Sequence, residues 1–254
     1  MGSLVGKRAL VTASGQGIGK SIAEGLLKAG CDVVVHYLSN EEGAQEVVRL
    51  AESLGRKALC LRADLTCESE AADMVKQSAE FLGGLDILVN NTGGLIARRS
   101  IGQVDVPFWQ KVIDVNMTSL MLVTRQAVPY LIQANGGASI VNISSLAGRK
   151  GGHGGSLVYA STKGAILTFT RALSGELGAQ GVRVNAVAPG LILGTSFHNT
   201  HTTKESAEET IRGIPLARAG NVDDVARAVV FLASEYDGFI TGATIDINGG
   251  VYCA

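Results

Sequence analysis

Arg8-Ala-Leu-Val-Thr12, then Ala13-Ser-Gly-Gln-Gly-Ile-Gly19, then Ile22, Ala23, Leu26 and Leu27 read in turn as strand, glycine turn and helix. The run to Thr12 is short, apolar and β-prone, and from Ile22 the apolar residues recur at helical spacing. A glycine turn between strand and helix is the context that a dinucleotide-binding fingerprint requires. Glycines let the backbone approach a pyrophosphate, while the helix N-terminus offers N–H groups and positive dipole. A tight turn alone would explain a lone glycine cluster, so the flanking elements carry the assignment.

The same alternation continues along the chain. Strands are expected at 32–37, 57–61, 86–90, 141–145, 182–187 and 243–247, with helices at 42–54, 68–81, 106–132, 158–178 and 222–234. Strands that alternate with helices predict an α/β fold, a doubly wound parallel sheet with right-handed crossovers. The 254 residues fit one large domain. No internal repeat, linker or low-complexity tract interrupts them.

Hydrophobic residues make up 46% of the chain and charged residues 18%, with a net charge of −1. That balance excludes disorder and gives no global attraction to nucleic acid or acidic membranes. No apolar run approaches the roughly 18–20 residues of a spanning helix. The segment 1–8 lacks a signal-peptide apolar region, so a cytoplasmic protein is expected. Cysteines 31, 60, 67 and 253 lack zinc or thioredoxin spacing and read as reduced thiols. His198 and His201 have no acidic or cysteine ligand at metal spacing, so no metal is expected.

The chemistry concentrates in Tyr159-Ala-Ser-Thr-Lys163. Residues four apart share a helix face, so a phenol and an ammonium can meet in one small volume. A neighbouring positive charge favours phenolate, and Lys163 is expected to lower the Tyr159 pKa towards working pH, suiting it to general acid–base work. Upstream, Val141-Asn-Ile-Ser-Ser145 reads as a buried strand ending in hydroxyls, joined to Tyr159 by a glycine-rich loop. Ser145 at that strand end is placed to hydrogen-bond a carbonyl oxygen as charge develops on it.

Ser145, Tyr159 and Lys163, with Asn116 in Asp114-Val-Asn116, resemble the Asn-Ser-Tyr-Lys tetrad of the short-chain dehydrogenase/reductase family. The likeness runs from Ala9 to Gly250. It implies a seven-stranded sheet in the order 3-2-1-4-5-6-7, a homotetramer, and hydride transfer between a nicotinamide cofactor and a carbonyl or secondary alcohol. Asn116 is implied to hold a water that connects Lys163 to solvent. The family turn is Thr-Gly-x-x-x-Gly-x-Gly, and Ala13 stands in the first glycine place. The turn is expected to tolerate that methyl, with Ser14 and Gly15 supplying flexibility. Implied cofactor contacts in the turn are Thr12, Ser14, Gln16, Gly17, Ile18 and Gly19. After the second strand come Tyr37, Ser39 and Asn40. No acid ends that strand, and Ser39 and Asn40 could donate to a phosphate, which leans towards NADP(H); Gln16, where NADP-preferring relatives often carry Arg or Lys, leaves NAD(H) or dual use open.

Asp64-Leu65 resembles the pair beside the adenine, although Asp64 could equally cap the next helix. Asn90-Asn91-Thr92-Gly93 is similar to the family's Asn-Asn-Ala-Gly. Pro189, Gly190 and Ile192 match its Pro-Gly-x-Ile-x-Thr, with Thr195 one place late as the hydroxyl that meets the carboxamide. Tyr159 and Lys163 are also implied to touch the cofactor.

Arg98 and Arg99 sit at the carboxyl end of a parallel strand, where open α/β sheets bind ligands. They could clamp an anion or belong to a solvated loop; His153 is a third candidate for substrate contact. Residues 194–213 are polar and suit a substrate lid. The expected substrate is a small polar, anionic carbonyl compound such as a keto sugar acid. The alternative is a 3-oxoacyl-acyl-carrier-protein reductase, whose basic docking residues have no counterpart at 134–139 or Gln180. A remoter alternative is a dinucleotide sensor without catalysis.

Overall fold

The computed structural model describes residues 4–195, 200, 203–234 and 238–254. Its strands are β1 (Arg8–Val11), β2 (Asp32–Tyr37), β3 (Ala58–Arg62), β4 (Ile87–Asn90), β5 (Ala138–Ile143), β6 (Val182–Pro189) and β7 (Thr244–Ile247). They form one parallel sheet in the order β3-β2-β1-β4-β5-β6-β7. The α-helices are α1 (Gly17–Lys28), α2 (Glu41–Ser53), α3 (Glu68–Leu82), α4 (Val106–Ile113), α5 (Ser119–Leu131), α6 (Leu146–Lys150), α7 (Leu157–Leu177), α8 (Lys204–Arg212) and α9 (Val222–Ala233). This is the doubly wound parallel sheet that the alternating pattern predicts, with the seven strands in the order that the family resemblance implies.

Successive strand residues point to opposite faces. Ala9, Val11, Val33, Val35, Val89 and Val141 pack on one face with α1, α2 and α9. Leu10, Val34, Leu88, Ile140 and Val184 pack on the other with α3, α5 and α7. Full burial of such a side chain contributes roughly 1.5–3 kcal/mol, so a polar residue on either face would be costly. That is why the central strands read as unbroken apolar runs rather than alternating ones. The strand order reverses between β1 and β4, and a crevice opens beyond their carboxyl ends, where such sheets bind ligands.

Two elements differ from expectation. The helix expected over 106–132 is interrupted by a π-helical turn, Asp114–Thr118, between α4 and α5. Asn116 lies in that turn and donates from Nδ2 to the Val112 carbonyl at 2.9 Å. A side-chain amide bonded into the helix ladder accounts for the widened turn. The stretch after Ser145, expected as loop throughout, begins with α6, which stops at Gly151 in the left-handed conformation (φ 91°). Of the expected lid at 194–213, residues 194, 195, 200 and 203–213 are described, including α8; His198 and His201 lie outside the described residues. Among the described residues there is no group of three metal-ligating side chains, and no helix is long and apolar enough to cross a membrane.

Candidate active site

The glycine turn joins β1 to α1 in the crevice. Ala13 adopts φ 49°, a left-handed conformation that costs an L-residue with a Cβ about 1–2 kcal/mol. The expectation that flexibility at Ser14 and Gly15 spares Ala13 is therefore corrected. Gly15 serves another purpose: a Cβ there would lie 2.5 Å from the Asn40 carbonyl oxygen. Gly19 packs as closely, with a Cβ position 2.3 Å from the Ala13 carbonyl oxygen. The α1 N-terminus has neither a side-chain cap nor an acidic residue in its first turn, so its N–H groups are available to an anion.

Thr12 and Ser14 brace this turn from inside and do not line the cavity. Thr12 Oγ1 accepts the N–H groups of Asn91 and Thr92 at 2.9 and 3.0 Å. Ser14 is fully buried and donates to the Val11 carbonyl at 2.7 Å. Asn91 Nδ2 donates to the carbonyls of Thr12 and Ala13. His36 completes the brace, accepting the Ala13 N–H at Nδ1 (2.9 Å) while Nε2 lies 3.0 Å from the Ala63 carbonyl oxygen. Its ring therefore carries its proton on Nε2.

A cavity of about 300 Å³ runs from this turn to the end of β5 and the start of α7. Ser145, Tyr159 and Lys163 line it together, as do Gln16, Gly17, Ile18, Gly19, Asn91, Gly93, Arg98, His153, Pro189, Gly190, Ile192 and Thr195. The Ser145 and Tyr159 hydroxyls are hydrogen-bonded to one another. Ser145 also caps α6, its Oγ accepting the Ala147 N–H at 3.1 Å. Lys163 is buried and donates from Nζ to the Ile143 carbonyl at 2.8 Å. Its ammonium lies 5.7 Å from the centre of the Tyr159 ring.

Burial governs both titrations. It raises the Tyr159 phenol above its ordinary value, opposed by the Ser145 hydrogen bond. It lowers the Lys163 ammonium to about 8. The expected net lowering of Tyr159 by Lys163 is corrected for the chain by itself, because desolvation of the phenolate is the larger effect.

Asn116 is wholly buried, with Nδ2 donating to the Gly94 and Val112 carbonyls and Oδ1 accepting the Gly94 N–H. Both amide hydrogens are occupied, so a water at this side chain would have to donate to Oδ1. A Cβ on Gly93 would lie 2.7 Å from Asn116 Oδ1 and 2.8 Å from Lys163 Nζ. Only glycine fits between them.

Other predicted residues lie elsewhere. Arg99 is held by Asp105 (3.2 Å) and stacks 4.3 Å from the Phe108 ring centre, outside the cavity that Arg98 lines. Asn40 caps α2 through the Gly43 N–H and donates to the Gly15 carbonyl, leaving it less able to serve a phosphate. Asp64 accepts from the backbone and hydroxyl of Thr66, while Cys67 precedes α3, so Asp64 is not the helix cap. Leu65 is a core residue. Tyr37 and exposed Ser39 stand at the end of β2 outside the cavity, and the Glu41 carboxylate neighbours the Tyr37 hydroxyl, so that end is not free of acid in space. Sequence reading passed over Arg62, which pairs in register with Tyr37 and donates from Nε to the Leu38 carbonyl at 3.2 Å. It also passed over Leu95, Lys150, Ile214 and Val251, all of which line the cavity. The basic pair after Ser145-Leu-Ala-Gly148 was the available signal for Lys150.

The glycine cradle, the uncapped α1 N-terminus and the Gly93 slot beside a buried ammonium fit a dinucleotide. The comparisons agree. A family model described as enoyl-(acyl carrier protein) reductase matches residues 12–252. The 3-oxoacyl-[acyl-carrier-protein] reductase of Staphylococcus aureus is 36% identical, over 97% of this chain and 98% of that protein. A short-chain dehydrogenase of Burkholderia cenocepacia, in complex with NADP, superposes with a TM-score of 0.90 at 32% identity, covering 98% of both chains. An NADH-dependent reductase responsible for alginate metabolism gives a TM-score of 0.90 at 32% identity, covering 99% of both chains. Fold, site and relatives together identify the chain as a member of the short-chain dehydrogenase/reductase family, an NAD(P)-dependent oxidoreductase acting on carbonyl or alcohol groups.

Proposed function

We propose that the chain reduces the carbonyl of a small polar, anionic compound, of the keto sugar acid class, to the alcohol. The observation that supports this most is the Ser145–Tyr159 hydroxyl pair facing a cavity that Arg98 also lines. When bound, a reduced nicotinamide supplies the hydride. Tyr159 gives its phenolic proton to the carbonyl oxygen as the alcohol forms. Ser145 donates a hydrogen bond to that oxygen while its charge develops. Burial keeps the phenol protonated and able to donate, and the Lys163 ammonium stabilises the phenolate left behind. Asn116 fixes the Gly93–Gly94 backbone against Lys163 and offers an acceptor at Oδ1 for a water that returns a proton. The turn at 13–19, with Asn91, Gly190, Ile192 and Thr195, would hold the dinucleotide.

Both NADPH and NADH are accepted in this scheme, with NADPH favoured. Arg62 offers a guanidinium at the end of β2 for a 2′-phosphate, while Glu41 beside Tyr37 moderates the preference. The working form in this proposal is a homotetramer.

A second assignment, reduction of 3-oxoacyl thioesters on a carrier protein, is favoured by the 36% identity to the staphylococcal enzyme. Loss of absorbance from NADPH and NADH with uronate-derived ketones, 3-oxoacyl thioesters and neutral ketones separates the two. Faster turnover of the keto acids supports the proposal, and carrier-linked substrates turned over well above them would replace it.

A further inference from the structure

Three consecutive residues of α6 have three different fates. A Cβ on Gly148 would lie 2.5 Å from the Lys163 carbonyl carbon, so α6 rests directly on the backbone of α7. Arg149 is half-buried and forms a two-point ion pair with Asp246 of β7, at 3.1 and 3.3 Å. Lys150 is exposed, lines the cavity that holds Tyr159 and Ser145, and has no ion-pair or hydrogen-bond partner among the described residues. The helix is pinned on both sides, and the left-handed Gly151 ends it immediately. Lys150 is therefore held at the cavity by the packing of its neighbours.

The charge around it is one-sided. The cavity is lined by Arg98, Lys150 and Lys163, with His153 beside them, and by no Asp or Glu among the described residues, although the whole chain has a net charge of −1. Lys163 is buried, donating to the Ile143 carbonyl and lying beside the Tyr159 ring. Arg98 is tied across to the loop before α7, donating to the Gly154 carbonyl at 3.0 Å. There a Cβ on Gly155 would meet Arg98 Cβ at 2.9 Å, a close approach that keeps the two loops together. Arg98 forms a fixed wall, whereas Lys150 presents a point charge on a flexible stem from a backbone held in place.

Building on the reductase assignment above, we propose that Lys150 is the specificity-determining residue: its ammonium pairs with the carboxylate of a small keto acid whose carbonyl lies at Tyr159 and Ser145. Arg98 supports the same carboxylate from the opposite loop. Leu95, Ile214 and Val251 shape the apolar remainder of the cavity.

The test uses the purified full chain with NADPH and with NADH, and a matched pair of substrates, a keto carboxylate and its methyl ester. The unmodified chain should favour the carboxylate by about tenfold or more in kcat/KM, as expected for a hydrogen bond to a charged group. Lys150→Ala should remove about that factor, chiefly through KM, and leave the ester within roughly twofold. Lys150→Arg should restore most of it, and Lys150→Glu should reverse the preference. Raising salt from about 0.05 to 0.5 M should shrink the preference of the unmodified chain. If the ester is reduced as well as the acid, or Lys150→Ala affects both substrates alike, the inference falls and the reductase assignment stands. If no carbonyl compound is reduced, both fall.

Discussion

The Lys163 ammonium donates to the carbonyl of Ile143 at 2.8 Å, tying the second turn of α7 to the last residue of β5. This bond fixes the ammonium below Tyr159, and burial lowers it to about 8. The sign follows for activity. Below about 8 the ammonium is retained and Tyr159, raised by burial, keeps its proton. Above it the charge that stabilises phenolate disappears. Carbonyl reduction, followed as kcat/KM for the reduced dinucleotide, should be level below pH 8 and fall above it, since that ratio reports groups of the free enzyme. A profile level beyond pH ~9.5 would contradict the assignment.

Ala13 at φ 49° carries backbone strain that glycine would relieve. Ala13→Gly should raise stability by about 1 kcal/mol, and the melting temperature by roughly 2–4 °C for a chain of this size. Thermal unfolding checks it; an unchanged or lower midpoint would show that the strain is compensated.

His36 is 2% exposed, and its Nδ1 already accepts the Ala13 N–H. A proton on Nδ1 would face that N–H. Burial lowers the His36 pKa, opposed by the Ala63 carbonyl and the Asp64 carboxylate. With the folded pKa below the unfolded value near ~6.5, the contribution of neutral His36 is complete above pH ~6.5 and declines as pH falls towards the folded pKa. The difference in unfolding free energy between the unmodified chain and His36→Gln should therefore narrow from pH ~7 to ~5. A difference independent of pH would exclude this role.

Arg62 stands beside Leu38 at the end of β2. Arg62→Ala should lower the NADPH-to-NADH ratio of kcat/KM about tenfold, the scale of one lost hydrogen bond to a charged group. Both cofactors measured on one substrate give the answer, and an unchanged ratio would leave the preference to Ser39 alone.

The sheet was legible because its central strands, such as Val33-Val-Val35, are apolar on both faces, and Ile22, Leu26 and their neighbours keep helical period. Ser145, Tyr159 and Lys163 were legible because a strand end and a one-turn helical spacing fix their relation whatever the loops do. Loop geometry was not. Whether Ala13 adopts positive φ depends on His36 and Asn91, distant in sequence. The partners of Arg98 and Arg99 are likewise set by Gly154 and Asp105, so adjacent arginines that read alike diverge in space. The π-turn at Asn116 gives no periodic signal, because a single amide bonded to Val112 creates it.

The central claim is that the Tyr159 phenol moves the proton. Replacing Tyr159 by Phe removes one hydroxyl, hydrogen-bonded to Ser145, from a partly buried ring. The expected result is a loss of roughly 10²–10⁴ in kcat/KM for the best carbonyl substrate, with dinucleotide affinity nearly unchanged by titration calorimetry. Tyr159→Phe protein that turns over within a few-fold of the unmodified chain would contradict it.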